Sequence, residues 1–311
     1  MSLTIKTLLI FAVLLVLLLI ALPLLGIYTA RSFCLPRAKG EAEVIGLCTE
    51  EAGDFELEWF NTLDFKSFTV PSPRGYDLNG VYLDGESDKT IILCHGHTMT
   101  WQTQVKYMPY LLEKGWNIIA YNHRYHGTSG GDICTGGYYE KLDLGLICDW
   151  AFEHYPNTET FGVQGESMGA ATVLQYLPLD ERLDFVWADC PYDDFADILS
   201  FHMDLYHIPG FLHKPILYFA DRYINKRAGI HLADVSPREA IMEKPVPLFL
   251  VHGNGDTYVP YFMSERMYQM RKDYAPTCFV TIEGAEHVKS HSVDSREYDS
   301  RLDDFLNSLE G

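Results

Sequence analysis

Hydrophobic residues are distributed in three different ways along this chain. The first is an unbroken block. From Thr7 to Ala30 there is no charged residue, and Leu8–Leu22 is almost entirely Leu, Ile, Val, Ala and Phe. A helix rises 1.5 Å per residue, so roughly 20 such residues cross the hydrocarbon of a bilayer. The block therefore predicts an N-terminal transmembrane helix over 1–30. A cleaved signal peptide is the rival reading, but its apolar stretch is shorter and ends at an Ala-x-Ala-like site. Around Ala30 that site is spoiled by Tyr28.

The second distribution is a regular alternation. Phe65–Val70 and Leu78–Leu83 read as a strand pair joined by a Pro-Ser-Pro-Arg-Gly turn. Short, wholly apolar runs at Thr90–Cys94, Trp116–Tyr121, Thr160–Val163, Phe185–Asp189, Leu248–His252 and Phe279–Ile282 suit strands covered on both faces. Between them Gln104–Lys114, Tyr139–Tyr155, Ser167–Leu177, Tyr261–Lys272 and Ser295–Leu309 have helical spacing. Strand and helix alternate, which predicts an α/β fold with a mostly parallel sheet. Residues 31–60 look like a Gly- and Glu-rich connector, and 61–311 like the globular domain.

The third distribution interrupts the alternation. Residues 192–240 are rich in large apolar groups, among them Phe195, Phe201, Leu205, Tyr206, Phe211 and Tyr218. Insertions at the carboxyl edge of an open α/β sheet sit where ligands bind, so this stretch is expected to be a helical cap lining a substrate pocket. A pair of core helices is the plainer alternative.

Charge adds two constraints. The 311 residues carry 43 Asp and Glu against 24 Lys and Arg, a formal charge of −19. Residues 1–40 hold four bases (Lys6, Arg31, Arg37, Lys39) and no acid, so the remainder is −23. Such a body repels polyphosphates, which argues against nucleic acid as a partner. The bases after the apolar block weight the positive-inside rule toward a cytoplasmic body on a single-pass membrane protein. Seven cysteines without a Cys-x-x-Cys fit neither a disulfide framework nor a zinc ribbon, and free thiols are the simplest reading.

The chemistry concentrates in Gly165-Glu166-Ser167-Met168-Gly169, which follows a predicted strand and precedes a predicted helix. A serine on that turn has its hydroxyl lifted above the sheet and a helix amino end beside it. A serine hydroxyl needs a base to take its proton and an acid to orient the base. In this motif order the acid and then the histidine follow the serine. His287 and His291 both follow the last strand, and His287, in the loop directly after it, is the expected base. Asp256, in the turn His252-Gly253-Asn254-Gly255-Asp256, is the expected acid, with Asp189 as competitor. Backbone N–H groups of His97, in the loop after Thr90–Cys94, and of Met168 are expected to hold an oxyanion. His95 and His97 form a His-x-His pair, but no third ligand has an obvious spacing, so no metal is expected.

These motifs, together with Asn122-His123-Arg124-Tyr125-His126-Gly127-Thr128-Ser129 and Ala285-Glu286-His287, resemble the α/β-hydrolase superfamily over about residues 60–311. Within it the chain looks most like membrane-anchored bacterial serine hydrolases of the esterase and aminopeptidase type. Asn122 stands where relatives often carry Asp. The resemblance implies acyl transfer to water without a cofactor. A carboxylic ester with an apolar group is the expected substrate of a carboxylesterase. The alternative within the fold is a serine peptidase, for which Asp193, Asp194 and Asp197 offer acids that could hold a free amine. The alternative outside catalysis is a membrane-tethered binding protein on a hydrolase scaffold.

Overall fold

The computed structural model describes residues 3–309. It opens with helix α1 (Leu3–Cys34), followed by the short helices α2 (Glu41–Gly46) and α3 (Leu57–Phe60), with a π-helical turn at Leu47–Glu51 between them. The stretch read as a connector is thus mostly helical. Strands β1 (Lys66–Ser72), β2 (Tyr76–Leu83) and β3 (Lys89–Cys94) come next. Then α4 (Met108–Glu113), β4 (Asn117–Tyr121), α5 (Tyr138–His154), β5 (Thr160–Glu166), α6 (Met168–Tyr176) and β6 (Phe185–Asp189) alternate. After α7 (Phe195–Leu205), α8 (His213–Ala228) and α9 (Pro237–Ala240), the chain returns through β7 (Leu248–Gly253), α10 (Phe262–Arg271) and β8 (Thr277–Ile282). It ends with α11 (Ser290–Val293) and α12 (Ser295–Asn307).

Eight strands form one sheet in the order β1-β2-β4-β3-β5-β6-β7-β8. β2 pairs antiparallel with β1 and β4, and every pairing from β4 to β8 is parallel. Successive strand residues point to opposite faces. Ile91, Leu93, Trp187, Phe249 and Val251 build one core with Leu111, Tyr298 and Phe305 of the flanking helices. Ile92, Cys94, Val163, Ala188 and Leu250 build the other with Leu144, Ala170 and Met267. Burial on both faces explains why the central strands carry no alternation in the sequence.

One helix starts differently from its predicted form. Trp101–Tyr107 is a 3₁₀ helix, and the α-helix proper begins at Met108. Pro109 has no N–H to give, which costs nothing in the first turn of an α-helix but would break its interior.

The chain divides into two compact units. Arg37–Asp194 and the chain from Val235 onward form the larger one, which contains the whole sheet. The smaller one joins the N-terminal helix up to Pro36 with Phe195–Asp234. Within it α1 lies along α8. A Cβ on Gly26 would fall 2.5 Å from Phe219 Cβ and 2.6 Å from the Ile216 carbonyl oxygen, so only glycine permits that approach. The α1 helix is long and apolar enough to cross a membrane, and its exposed face from Thr4 to Ile20 is almost entirely aliphatic.

Candidate active site

Ser167 sits between the last residue of β5 and the first of α6, with φ 53° and ψ −116°. Such a conformation is strained for any residue with a Cβ. The flanking glycines let it exist. A Cβ on Gly165 would lie 2.3 Å from the Gly169 backbone, and one on Gly169 would lie 2.1 Å from the Cys94 carbonyl oxygen. The turn is pinned by the Ser167 N–H, which donates to the Asp189 carbonyl at 2.8 Å.

Three side chains from distant loops meet there. The Ser167 hydroxyl faces His287 Nε2 at 2.9 Å, and His287 Nδ1 faces Asp256 Oδ2 at 2.6 Å. With Nδ1 carrying its proton, the imidazole donates to the carboxylate and leaves Nε2 free to accept from the serine. Asp256 Oδ1 accepts the backbone N–H groups of Tyr258 and Val259, both at 2.8 Å. His252 Nε2 lies 3.1 Å from Asp256 Oδ2, and its Nδ1 lies 2.7 Å from the Ser264 hydroxyl. Burial works against the charge of Asp256, but the hydrogen bonds from His252 and His287 hold its carboxyl well below the usual carboxylate range. The competitors are occupied elsewhere. Asp189 accepts from the hydroxyls of Tyr107 (3.1 Å) and Tyr298 (2.9 Å), and His291 lies 3.2 Å from Asp299.

The loop after β3 runs past the serine, with the Cβ position of Gly96 3.5 Å from Ser167 Cβ. Neutral imidazoles bracket this loop. His95 accepts the N–H of His123 (2.9 Å) and donates to the Gly96 carbonyl (2.7 Å). His126 accepts the N–H of Thr98 (3.1 Å) and donates to the Arg124 carbonyl (2.9 Å). Burial lowers the pKa of both, and pushes that of His123 down to about 3. His97 lies on this loop and Met168 opens α6, so the two positions named for the oxyanion flank the serine.

Several participants had no local signature. Lys106, on the 3₁₀ turn, is 2% exposed, as is its partner Glu166, 2.8 Å away. The same ammonium donates to the Val288 carbonyl at 2.9 Å. Burial opposes the charge of Lys106, yet Glu166 and Asp54 hold it protonated. One lysine thereby ties the residue before the serine to the residue after the histidine. Only its place in the tertiary structure, not its position in a helical pattern, marks it out.

A cavity of about 560 Å³ opens on Ser167 and His287. Its apolar wall is Val44, Leu47, Cys48, Ala52, Met99 and Tyr258. Four of these six residues come from the stretch read as a mere connector, and all six belong to the larger unit. The stretch 192–240, expected to be a cap, is not one piece. The stretch splits, with Phe195–Asp234 falling in the smaller unit. Asn122 explains how the wall is held. Its Oδ1 accepts the Trp101 N–H at 3.1 Å, and its Nδ2 donates to Glu41 at 3.0 Å, at the start of α2. Aspartate at this position would face Glu41 with a second carboxylate.

The acids weighed for an amine site have other partners. Asp193 pairs with Arg266, and Asp194 pairs with Arg238 at 3.2 Å. Among the described residues, Cys190, Asp256 and His287 form a cluster with metal-ligating atoms within 4.8 Å of one another, but two of them are the pair already engaged with Ser167.

An eight-stranded, mostly parallel sheet with a serine on its strand-to-helix turn defines an α/β hydrolase. Residues 89–205 match the family model described as alpha/beta hydrolase fold, and the chain belongs to that superfamily. It is 31% identical to YqkD of Bacillus subtilis (strain 168) over 92% of its own length and 93% of that protein. It is 24% identical to YfhR of Escherichia coli (strain K12) over 72% of the chain and 69% of that protein. Among solved structures it resembles an esterase of Pyrococcus furiosus, with a TM-score of 0.65 and 27% identity over 80% of this chain and 93% of the other. Fold and esterase neighbour together support a hydrolase.

Proposed function

We propose that this protein is a serine hydrolase that cleaves carboxylic esters with an apolar acyl or alcohol group. The observation that carries the reading is the chain Ser167–His287–Asp256 at 2.9 and 2.6 Å, opening on a largely apolar cavity. Ser167 Oγ attacks the ester carbonyl while His287 Nε2 takes its proton, and Asp256 stabilises the imidazolium. The tetrahedral oxyanion is held by the N–H groups of His97 and Met168. His287 then returns the proton to the departing alkoxide, which leaves as the alcohol. Water attacks the acyl-enzyme, His287 again takes a proton, and the carboxylic acid departs as Ser167 regains its hydrogen. No cofactor enters these steps. The charge pairing of Asp193 and Asp194 with arginines favours an ester over a peptide with a free amino terminus.

Fluorophosphonate labelling tests the nucleophile, and turnover of p-nitrophenyl butyrate against an aminoacyl-nitroanilide tests the class. Labelling that disappears in Ser167→Ala together with ester turnover supports the reading. Labelling that survives the substitution, or turnover confined to the anilide, overturns it.

The α1 helix is the single-pass membrane anchor in this reading, supported by its length and apolarity. The positive-inside rule, with Arg31, Arg37 and Lys39 after the apolar block, favours a cytoplasmic body in this reading, and a reporter fused after the last residue tests it.

A further inference from the structure

The smaller unit holds a second apolar feature that the hydrolase chemistry does not use. Between α7 and α8 the sequence Leu205-Tyr206-His207-Ile208-Pro209-Gly210-Phe211-Leu212 has no acid, lysine or arginine. At its tip Tyr206 is 80% exposed and Phe211 79%, with Leu205 and Tyr218 also exposed. Its backbone is tied down from inside. His213, buried, donates through Nε2 to the Ile208 carbonyl at 2.9 Å, and its Nδ1 lies 2.9 Å from the Ser200 hydroxyl. The rings therefore project from a braced turn.

Neighbouring contacts fix the level of this tip along α1. Gly26 lies against Ile216–Ala220, and Arg31 Nη1 lies 3.5 Å from the Tyr223 hydroxyl. Residue numbers rise together in the two helices, so they run parallel. At 1.5 Å per residue in each, the start of α8 lies beside about Ala21 of α1, and Phe211 beside about Leu19. From Thr4 to that level α1 measures about 23 Å, most of the roughly 30 Å hydrocarbon thickness of a bilayer. The hairpin tip thus falls level with the end of the fully exposed stretch of α1, Thr4–Ile20, near one boundary of the hydrocarbon. Aromatic side chains concentrate at that depth in membrane proteins, with basic side chains beside them, and Lys214 is exposed next to the tip.

We propose that the α7–α8 hairpin tip is a second membrane contact, with Tyr206 and Phe211 seated at the boundary between headgroups and acyl chains beside α1. This rests on the reading of α1 as a membrane span. The occupant is a lipid bilayer because the patch continues the lipid-facing surface of α1 and carries no charge of its own.

The test uses the full chain reconstituted in phosphatidylcholine vesicles, with Phe211→Trp and, separately, Tyr206→Trp, each compared with the parent protein. Retention through an alkaline carbonate wash reports on α1, and circular dichroism reports that each variant is folded. The added emission should be blue-shifted in both variants, and lost when bromine is carried on the upper acyl-chain carbons. If the chain withstands the wash but the added emission is quenched by aqueous iodide and not by brominated lipid, the tip is in water and the proposal fails while the anchor stands. Blue-shifted emission insensitive to both quenchers means a protein surface, such as a second copy, covers the tip, and this also overturns it. Release by the wash removes the anchor and the proposal together.

Discussion

At the residue scale, the site is a set of groups whose protonation is decided by their partners. Asp256 accepts two backbone N–H groups and two imidazoles, so it holds its charge where a solvent-facing aspartate would be less firmly ionised. Asp256→Asn keeps the shape but no longer favours the tautomer of His287 with its proton on Nδ1. We expect ester kcat/KM to fall by roughly 10³–10⁴-fold with little change in stability, read by steady-state kinetics and urea unfolding. Lys106 makes a contrasting case. Lys106→Met leaves Glu166 buried without its cation, for which a cost of about 3–5 kcal/mol is expected in urea unfolding. Adding Glu166→Gln should recover much of it. A single variant as stable as the parent would mean that the 2.8 Å pair contributes nothing.

At the scale of elements, the decisive piece is the short helical segment that includes α2 and its π-helical turn. Leu47 lines the cavity from this segment. Leu47→Trp should shorten the accepted chain, raising KM for long acyl esters while acetate esters keep theirs. A parallel shift for all chain lengths would place the acyl group elsewhere. Asn122 carries the same wall through its hydrogen bond to Glu41. Asn122→Asp sets two carboxylates against each other in a buried position and should cost about 1–3 kcal/mol. Glu41→Gln in the same chain should restore most of the loss, and a double variant no better than the single one would detach α2 from this contact. These elements were partly legible in advance. Strands β3 to β7 stand within a few residues of where their apolar runs predict them, because a strand buried on both faces needs apolar side chains at every position. The 44–54 wall was not legible, since a four- to six-residue helix carries too few turns to show periodicity. Within the helix expected over Gln104–Lys114, Gln104–Tyr107 is 3₁₀ instead for a related reason: Pro109 suits only the first turn of an α-helix, which a 3.6-residue period does not reveal.

On the whole-molecule scale, buried histidines couple the site to pH. His95, His123 and His126 are held neutral in the fold, with His123 pushed down to about 3 by burial. The unfolded chain takes up protons on these rings near pH 6.5, before the folded chain does. Their contribution is therefore complete above about pH 6.5 and is lost as pH falls toward 3. Asp143 works the other way: burial raises its carboxyl to about 6, so the folded chain gains a proton there first and offsets part of the loss. Three rings outweigh one carboxyl. The melting temperature should hold between pH 7 and 8 and decline from about pH 6.5 downward, followed by circular dichroism. A flat or rising profile to pH 5 would show that the rings are charged or exposed in the fold. Because His95 and His126 bracket the loop beside Ser167, activity should fail along with stability over the same range.

What the chain order alone determined is the part written in local chemistry. The Gly-x-Ser-x-Gly turn, the alternation of apolar runs with amphipathic stretches, and the charge-free N-terminal block all depend on neighbours a few residues apart. The tertiary structure decided which groups meet across long stretches of chain. Ser167 and His287 are 120 residues apart, Lys106 reaches Val288 across 182, and Asn122 reaches back 81 residues to Glu41. Such meetings follow from how the sheet orders its strands and where the loops then fall, and no local period records them. The same holds within the smaller unit: the buried Ile216 and Ala220 of α8 announce packing against something, and only the approach of Gly26 shows that α1 lies beside them.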